Sequence, residues 1–234
     1  MEFGIEQRKV LEARLENESF DLLVVGGGIT GAGIAREAVL RGLKTALVEK
    51  DDFAFGTSSR SSKLVHGGLR YLEQYDFGLV FESTQERSTL MRLARHVVRP
   101  LPFIMPVFRE SRRGLFMIDL GLWLYDILGT FRNYRNHRKL DARRVLELEP
   151  RVRRDGLKGG VFYYDAGTDD SRLTLENVLD AAAEGAVPLS RVEARGIEFR
   201  DGRVHAVQVF DSVRGRTFPV RTRAVVCAAG PWTA

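Results

Sequence analysis

Residues 21–49 read DLLVVGGGITGAGIAREAVLRGLKTALVE, and this stretch decides the fold. Residues 21–25 (DLLVV) are a short, almost wholly apolar run, the pattern of a strand buried on both faces of a parallel sheet. Gly26, Gly28 and Gly31 come next in G-x-G-x-x-G order. The Ala-rich stretch 32–41 has a helix composition, and Gly42 stands near its C-cap. Residues 45–49 (TALVE) are then a second buried strand. Its last residue, Glu49, lies 18 positions after Gly31, near the spacing of about 20 for a ribose-binding acid.

Each residue type in this unit suits a dinucleotide. Gly26 permits a tight turn, Gly28 leaves room for a pyrophosphate against bare backbone, and Gly31 lets the helix pack closely on the strand. The helix N-terminus offers N–H groups and a partial positive charge to phosphates. Glu49 can accept hydrogen bonds from both ribose hydroxyls, and it would repel the 2′-phosphate of NADP. A lone glycine fingerprint is weak evidence; strand, glycines, helix, strand and acid in that order are specific. The competing reading is a glycine-rich turn with no ligand.

Around this unit the chain is an ordinary globular one. Its 234 residues are 44% hydrophobic and 29% charged with 7 prolines, which excludes a disordered, collagen-like or low-complexity chain. It can bury a core without disulfide or metal staples. Cys227, the only cysteine, cannot pair within the chain, and no Cys/His cluster has zinc spacing. Metal chemistry is therefore not expected, and a reducing, intracellular compartment is. The net charge of +5 suits nucleic acid, an anionic membrane or a phosphorylated substrate without choosing among them. Glu2, Glu6, Glu12, Glu16 and Glu18 interrupt the first twenty residues, so a short solvated helix is expected there rather than a signal peptide. The longest apolar run, residues 114–129 (GLFMIDLGLWLYDILG), contains Asp119 and Asp126 and falls short of the roughly 20 residues of a spanning helix.

The residues after the acid separate NAD from FAD. In the segment 51–71 (DDFAFGTSSRSSKLVHGGLRY), Thr57, Ser58, Ser59, Ser61, Ser62 and Lys63 crowd between glycines. That composition suits phosphate oxygens and the polar edge of a flavin better than a core, the alternative being a flexible surface loop. Through VVGGGITGAGIA (24–35), TSSRSSKLVHGGLRYLEQYD (57–76) and AAGPW (228–232), the chain resembles the FAD-dependent glycerol-3-phosphate dehydrogenases of the aerobic respiratory type. The glycerophosphate oxidases are close relatives. The resemblance runs from about Phe20 to the last residue.

The resemblance implies an α/β fold: a Rossmann-like FAD-binding domain of the glutathione-reductase/D-amino-acid-oxidase type with an inserted substrate or cap region. The expected division is an N-terminal helical extension over 1–19, a discontinuous FAD-binding domain over 20–86 and 171–234, and the insertion over 87–170. It implies that Gly26, Gly28 and Gly31 hold the FAD pyrophosphate and Glu49 the adenosine ribose. Thr57, Ser58, Ser59, Ser62, Lys63 and Leu64 match the loop beside the flavin, and His66, Gly67 and Gly68 the turn next to its ring. Val192 matches the strand whose backbone touches the adenine. Gly230 matches the glycine of a second cofactor motif, usually Ala-Thr-Gly, where this chain has Ala228-Ala229-Gly230. Arg70 and Tyr71 match the pair that reaches the substrate's phosphate, and no residue matches a catalytic base.

The implied reaction is oxidation of sn-glycerol 3-phosphate to dihydroxyacetone phosphate, with electrons passed to a quinone. An oxidase using O2, or a non-catalytic flavin-binding or membrane-associating fragment, are the alternatives. Expected partners are glycerol 3-phosphate, the quinone, the inner face of the cell membrane on its cytoplasmic side, and a second copy of the chain; nucleic acid is not expected. Relatives continue well past AAGPW, so the chain is expected to be a fragment that shows no turnover alone.

The residues themselves support parts of this. Arg70 can grip a phosphate bidentately with a Tyr71 hydroxyl beside it, or be an ion-pair partner next to a core aromatic. His66 reads as a base, a flavin contact or a core histidine, with flavin contact favoured. Pro100, Pro102 and Pro106 are expected to break the chain in the insertion, which would wall the substrate site. The 114–129 run is flanked by Arg109, Arg112 and Arg113 and by Arg132, Arg135, Arg138 and Lys139, with Phe116, Trp123, Tyr125, Phe131 and Tyr134 among them. It reads as a core helix with solvated basic ends, or as an interfacial helix on anionic headgroups. Beyond it, 171–183 is a helix candidate capped by Asp170 or Ser171, 204–210 and 217–220 a hairpin or meander, and 224–227 a separate buried strand. Pro188 is expected to interrupt the strand before Val192.

Overall fold

The computed structural model describes residues 4–129 and 134–233. In chain order the first elements are α1 (Ile5–Asn17), β1 (Ser19–Val25), α2 (Ile29–Leu40) and β2 (Thr45–Glu49). Then come β3 (Leu64–Val65), α3 (Phe77–Leu93), β4 (Val98–Phe108), α4 (Leu115–Leu128), β5 (Arg138–Asp141), α5 (Ala142–Leu148) and β6 (Leu157–Thr168). The last are α6 (Asp170–Ala183), β7 (Val187–Ser190), β8 (Val192–Arg200), β9 (Arg203–Asp211) and β10 (Arg216–Cys227). They form two compact units, residues 1–61 with 170–234 and residues 62–169. The first junction thus falls at 61/62, not at 86/87 as the sequence suggested. The reason is pairing: Leu64 and Val65 lie opposite Gly167 and Ala166 of β6, so residues 62–86 belong to the second unit.

The first unit is a six-stranded mixed sheet in the order β7-β2-β1-β10-β9-β8. β7, β2, β1 and the C-terminal half of β10 run parallel, while β8, β9 and the N-terminal half of β10 form an antiparallel meander. β10 is one continuous strand that changes partner at Arg221, which faces Ala206 of β9 and Ser19 of β1. The separate strand expected at 224–227 is its second half. Pro188 sits inside β7 opposite Leu47 instead of interrupting a strand. β7 is at the sheet edge, the position in a sheet where proline is tolerated.

One apolar layer places Leu11 and Leu15 of α1 with Phe20, Leu23, Val48, Val207 and Val220; another packs Ala32 and Ala35 of α2 on Val24 and Leu47, with Val178 and Ala181 of α6. The N-terminal helix is therefore not solvated all round, as its composition suggests, but buries Leu11, Glu12 and Leu15. Leu15 is fully buried, Arg8 donates to the Ser190 carbonyl at 2.8 Å, and Glu12 is paired with Arg8 and Arg214.

The second unit is a small antiparallel sheet, β3-β6-β4, with β5 also paired to β6. The three prolines do not break the chain: β4 runs through all of them, opposite Ala166, Tyr164 and Gly160. Among the described residues, β4 pairs only with β6. The prolines are spaced by even numbers, so their missing donors all fall on one side of the strand. α4 buries Leu122 and Tyr125 against Val80 and Val161 and leaves Phe116, Met117, Leu120, Trp123, Leu124 and Ile127 exposed. Among the described residues, no helix is long and apolar enough to cross a membrane.

Candidate functional site

β1 ends at Val25, and the chain turns so sharply that side chains are excluded at two of the three fingerprint glycines. Gly26 has φ +111°, and a Cβ there would lie 2.5 Å from the Ala228 carbonyl oxygen. At Gly31 a Cβ would lie 1.8 Å from the Gly26 carbonyl oxygen. Gly28 differs: a Cβ would meet only the Ser58 Oγ, at 3.1 Å, and the position faces a cleft of about 480 Å³. That volume lies within the range of small-molecule sites.

The cleft gathers Gly26, Gly28, Glu49, Thr57, Ser58, Val192 and Gly230 from the expected set. Gly31 is buried behind the turn, and Ser59 points back to donate to the Phe55 and Gly56 carbonyls at 3.3 Å. Glu49 is held by two backbone donors, Gly27 N–H at 2.7 Å and Asp51 N–H at 2.8 Å. Each carboxylate oxygen takes one of these bonds and keeps further acceptor capacity. Ser58 Oγ accepts from Ile29 N–H at 2.9 Å, satisfying one of the orphan donors at the start of α2. Val192 opens β8, and Gly230, with φ +62°, starts a short 3₁₀ turn through Trp232.

Lys50, Phe55 and Trp232 also line the cleft and escaped the sequence reading. The Lys50 ammonium lies 5.9 Å from the centroid of the Trp232 ring, and a Cβ on Gly56 would come within 2.9 Å of that indole. Their only sequence signals were position, Lys50 next to the acid and Trp232 in AAGPW.

Ser62, Lys63, Leu64, His66, Gly67, Gly68, Arg70 and Tyr71 belong to the second unit. Lys63 has φ +60°, and its carbonyl accepts from Thr168 N–H at 2.9 Å. Leu64 is in β3. His66 Nδ1 accepts from Gly68 N–H at 3.1 Å, and its ring lies 6.4 Å from that of Tyr71. Gly67 N–H donates to Asp165 Oδ1 at 2.9 Å. Gly68, with φ +73°, opens the 3₁₀ turn Leu69–Gln74. The side chain of Arg70 lies outside the described part, as do residues 131 and 132 of the basic and aromatic flank.

Beneath this turn lies a polar cluster that no sequence motif signalled. Arg87 Nη1 is 2.5 Å from Asp165 Oδ1 and donates to the Tyr125 hydroxyl at 2.7 Å. Burial pushes the Tyr125 phenol well above its usual range, and burial raises Tyr163 as well.

A glycine turn against a helix N-terminus, an acid closing the second parallel strand and a cleft between them define a Rossmann-like dinucleotide-binding protein. The chain belongs to the FAD dependent oxidoreductase family, whose sequence profile matches residues 21–234. It is 42% identical, over 96% of its length, to an aerobic glycerol-3-phosphate dehydrogenase of Staphylococcus haemolyticus, and 40% identical to one of Staphylococcus aureus. It spans 41% of the length of each. Among solved structures, the FAD complex of glycerol-3-phosphate dehydrogenase from Bacillus halodurans matches with a TM-score of 0.76 at 35% identity, covering 99% of this chain and 38% of that one. Glycine oxidase from Geobacillus kaustophilus shares the fold, with a TM-score of 0.66 at 22% identity over 92% of this chain and 56% of that one.

Proposed function

We propose that these residues carry the cofactor-binding part of an FAD-dependent glycerol-3-phosphate dehydrogenase. The reaction, proposed for a polypeptide of the relatives' length, is oxidation of sn-glycerol 3-phosphate to dihydroxyacetone phosphate with a quinone as acceptor. The observation that carries the reading is the cleft. A bare Gly28 backbone, the α2 N-terminus and a half-buried Glu49 line one space, matching the pyrophosphate and ribose of a dinucleotide. The names of the relatives supply the substrate.

Bound FAD supplies the two-electron acceptor. Gly26 and Gly31 shape the turn, Gly28 and the first N–H groups of α2 receive the pyrophosphate, and Glu49 takes the ribose hydroxyls. Thr57, Ser58 and Ser59 form the loop beside it, the Val192 backbone meets the adenine, and Gly230 closes the second cofactor motif. The resemblance assigns Ser62, Lys63, Leu64, His66, Gly67 and Gly68 to the flavin, and Arg70 and Tyr71 to the substrate's phosphate.

The exposed apolar face of α4, with Arg109, Arg112, Arg113, Arg135, Arg138 and Lys139 in the flanking sequence, supports peripheral attachment to the cytoplasmic face of the cell membrane. In a polypeptide of the relatives' length that carries these residues, anaerobic addition of sn-glycerol 3-phosphate is expected to bleach the bound flavin, with glycerol inert and a soluble quinone restoring the colour. Failure of the substrate to bleach it overturns the reading. Peroxide released in proportion to substrate under air would assign the oxidase reaction instead.

A further inference from the structure

A buried ion pair is a poor stabiliser, because desolvating two charges offsets most of their attraction. Arg87 is nonetheless the largest fully buried side chain among the described residues, at 1% exposure, and Asp165 is 6% exposed. What distinguishes the pair is where it sits. Arg87 comes from α3, Tyr125 from α4 and Asp165 from β6, so one guanidinium keys three elements at a single point. The carboxylate oxygen that meets Arg87 Nη1 at 2.5 Å also accepts from Gly67 N–H at 2.9 Å. The turn is shaped to rest there: a Cβ on Gly67 would lie 2.0 Å from the Tyr125 hydroxyl, and one on Gly68 2.5 Å from Tyr71 Cδ2.

We propose that Asp165 is a positioning residue: backed by Arg87 and Tyr125, its Oδ1 fixes the Gly67 N–H and thereby sets the direction in which the His66–Gly68 turn presents its remaining polar groups to the cofactor. The proposal rests on the reading that this turn borders the flavin. The ion pair makes the acceptor rigid, since a carboxylate oxygen that also takes a bond from a buried guanidinium loses both partners if it rotates away from the turn.

Removing one charge alone would strand the other, so the test removes both. Arg87→Met/Asp165→Asn keeps an acceptor for Gly67; Arg87→Met/Asp165→Leu keeps the volume without it. Amide hydrogen exchange is measured on the 234-residue chain without FAD. The Leu variant is expected to exchange Gly67 and Gly68 at least about tenfold faster than wild type, with α3 and β6 unchanged, and the Asn variant to stay within about threefold. Equal exchange at Gly67 in the two variants, or a uniform rise across residues 62–169 in the Leu variant, overturns the proposal. If the Leu variant does not fold, Tyr125→Phe replaces it: at least about threefold faster exchange at Gly67 is expected, and unchanged exchange overturns the proposal. After FAD loading, the visible circular dichroism of the flavin should change in the Leu variant and not in the Asn variant; an unchanged band in both contradicts the positioning role. If wild type takes up no FAD, the flavin reading fails, while exchange at Gly67 still decides whether Asp165 holds the turn.

Discussion

Both units hold a glycine turn with a carboxylate, and they do it differently. In the first, Glu49 accepts from Gly27 N–H at 2.7 Å and sits on an open cleft with no cation bonded to it among the described contacts. In the second, Asp165 accepts from Gly67 N–H at 2.9 Å, and the same oxygen is paired with buried Arg87. The same local bond therefore leaves one acid able to receive a ligand and consumes the other in keeping a turn still. The difference lies in burial and charge pairing, not in the turn chemistry.

The largest expected effect separates backbone crowding from helix propensity within α2. Gly31→Ala is expected to cost at least about 4–5 kcal/mol or to prevent folding of the first unit, because its Cβ would lie 1.8 Å from the Gly26 carbonyl oxygen. Gly33→Ala, where nothing lies within 4 Å, should instead stabilise by about 0.5–1 kcal/mol. Thermal and urea unfolding of the two variants checks this, and similar losses in both would refute the crowding argument.

Next, the two carboxylates should respond unequally to deletion. Asp165→Leu strands the Arg87 guanidinium and is expected to destabilise the second unit by about 3–5 kcal/mol. Glu49→Leu forfeits two backbone bonds at a half-buried site and should cost about 1–3 kcal/mol. Equal penalties in chemical denaturation would remove the distinction drawn between them.

A smaller effect concerns alkaline pH. The folded state holds the Tyr125 phenol neutral by burial, whereas the unfolded phenol ionises near its ordinary value of about 10. The unfolded chain then binds fewer protons, so stability present below about pH 10 falls above it, by up to about 1.4 kcal/mol per pH unit for this group. Tyr125→Phe should flatten that slope, and an unchanged slope would show that other groups set it. The smallest expected effect is on the outer face of α4, where Leu120 is 53% exposed. Leu120→Gln should shift stability by no more than about 0.5 kcal/mol while lowering sedimentation with anionic vesicles.

The first unit was legible because its chemistry is local. The Gly26–Glu49 stretch carries glycines, helix and acid within one βαβ unit, and β2 falls on the residues 45–49 read from composition. Its β10 was not, since a strand that is antiparallel to β9 and then parallel to β1 changes its pattern midway and looks like two elements. Prolines misled for a related reason. Pro100, Pro102, Pro106 and Pro188 all lie in strands at sheet edges, and edge position is a tertiary fact no dipeptide signal reveals. α1 was misjudged because its glutamates dominate its composition, while burial of Leu11 and Leu15 depends on the sheet beneath. Arg87 and Asp165 stand 78 residues apart and share no motif, so their pairing emerges only with the fold.

If the Gly26–Glu49 cleft takes the ADP half of FAD, the 234-residue chain should bind FAD in a direct titration. Flavin fluorescence should report saturable binding of one FAD per chain, displaced by ADP. Gly28→Val should weaken it by at least about tenfold, because the added side chain enters the cleft where the pyrophosphate is proposed to lie. Non-saturable binding by wild type, or equal affinity in Gly28→Val, would rule out this cleft as the FAD site.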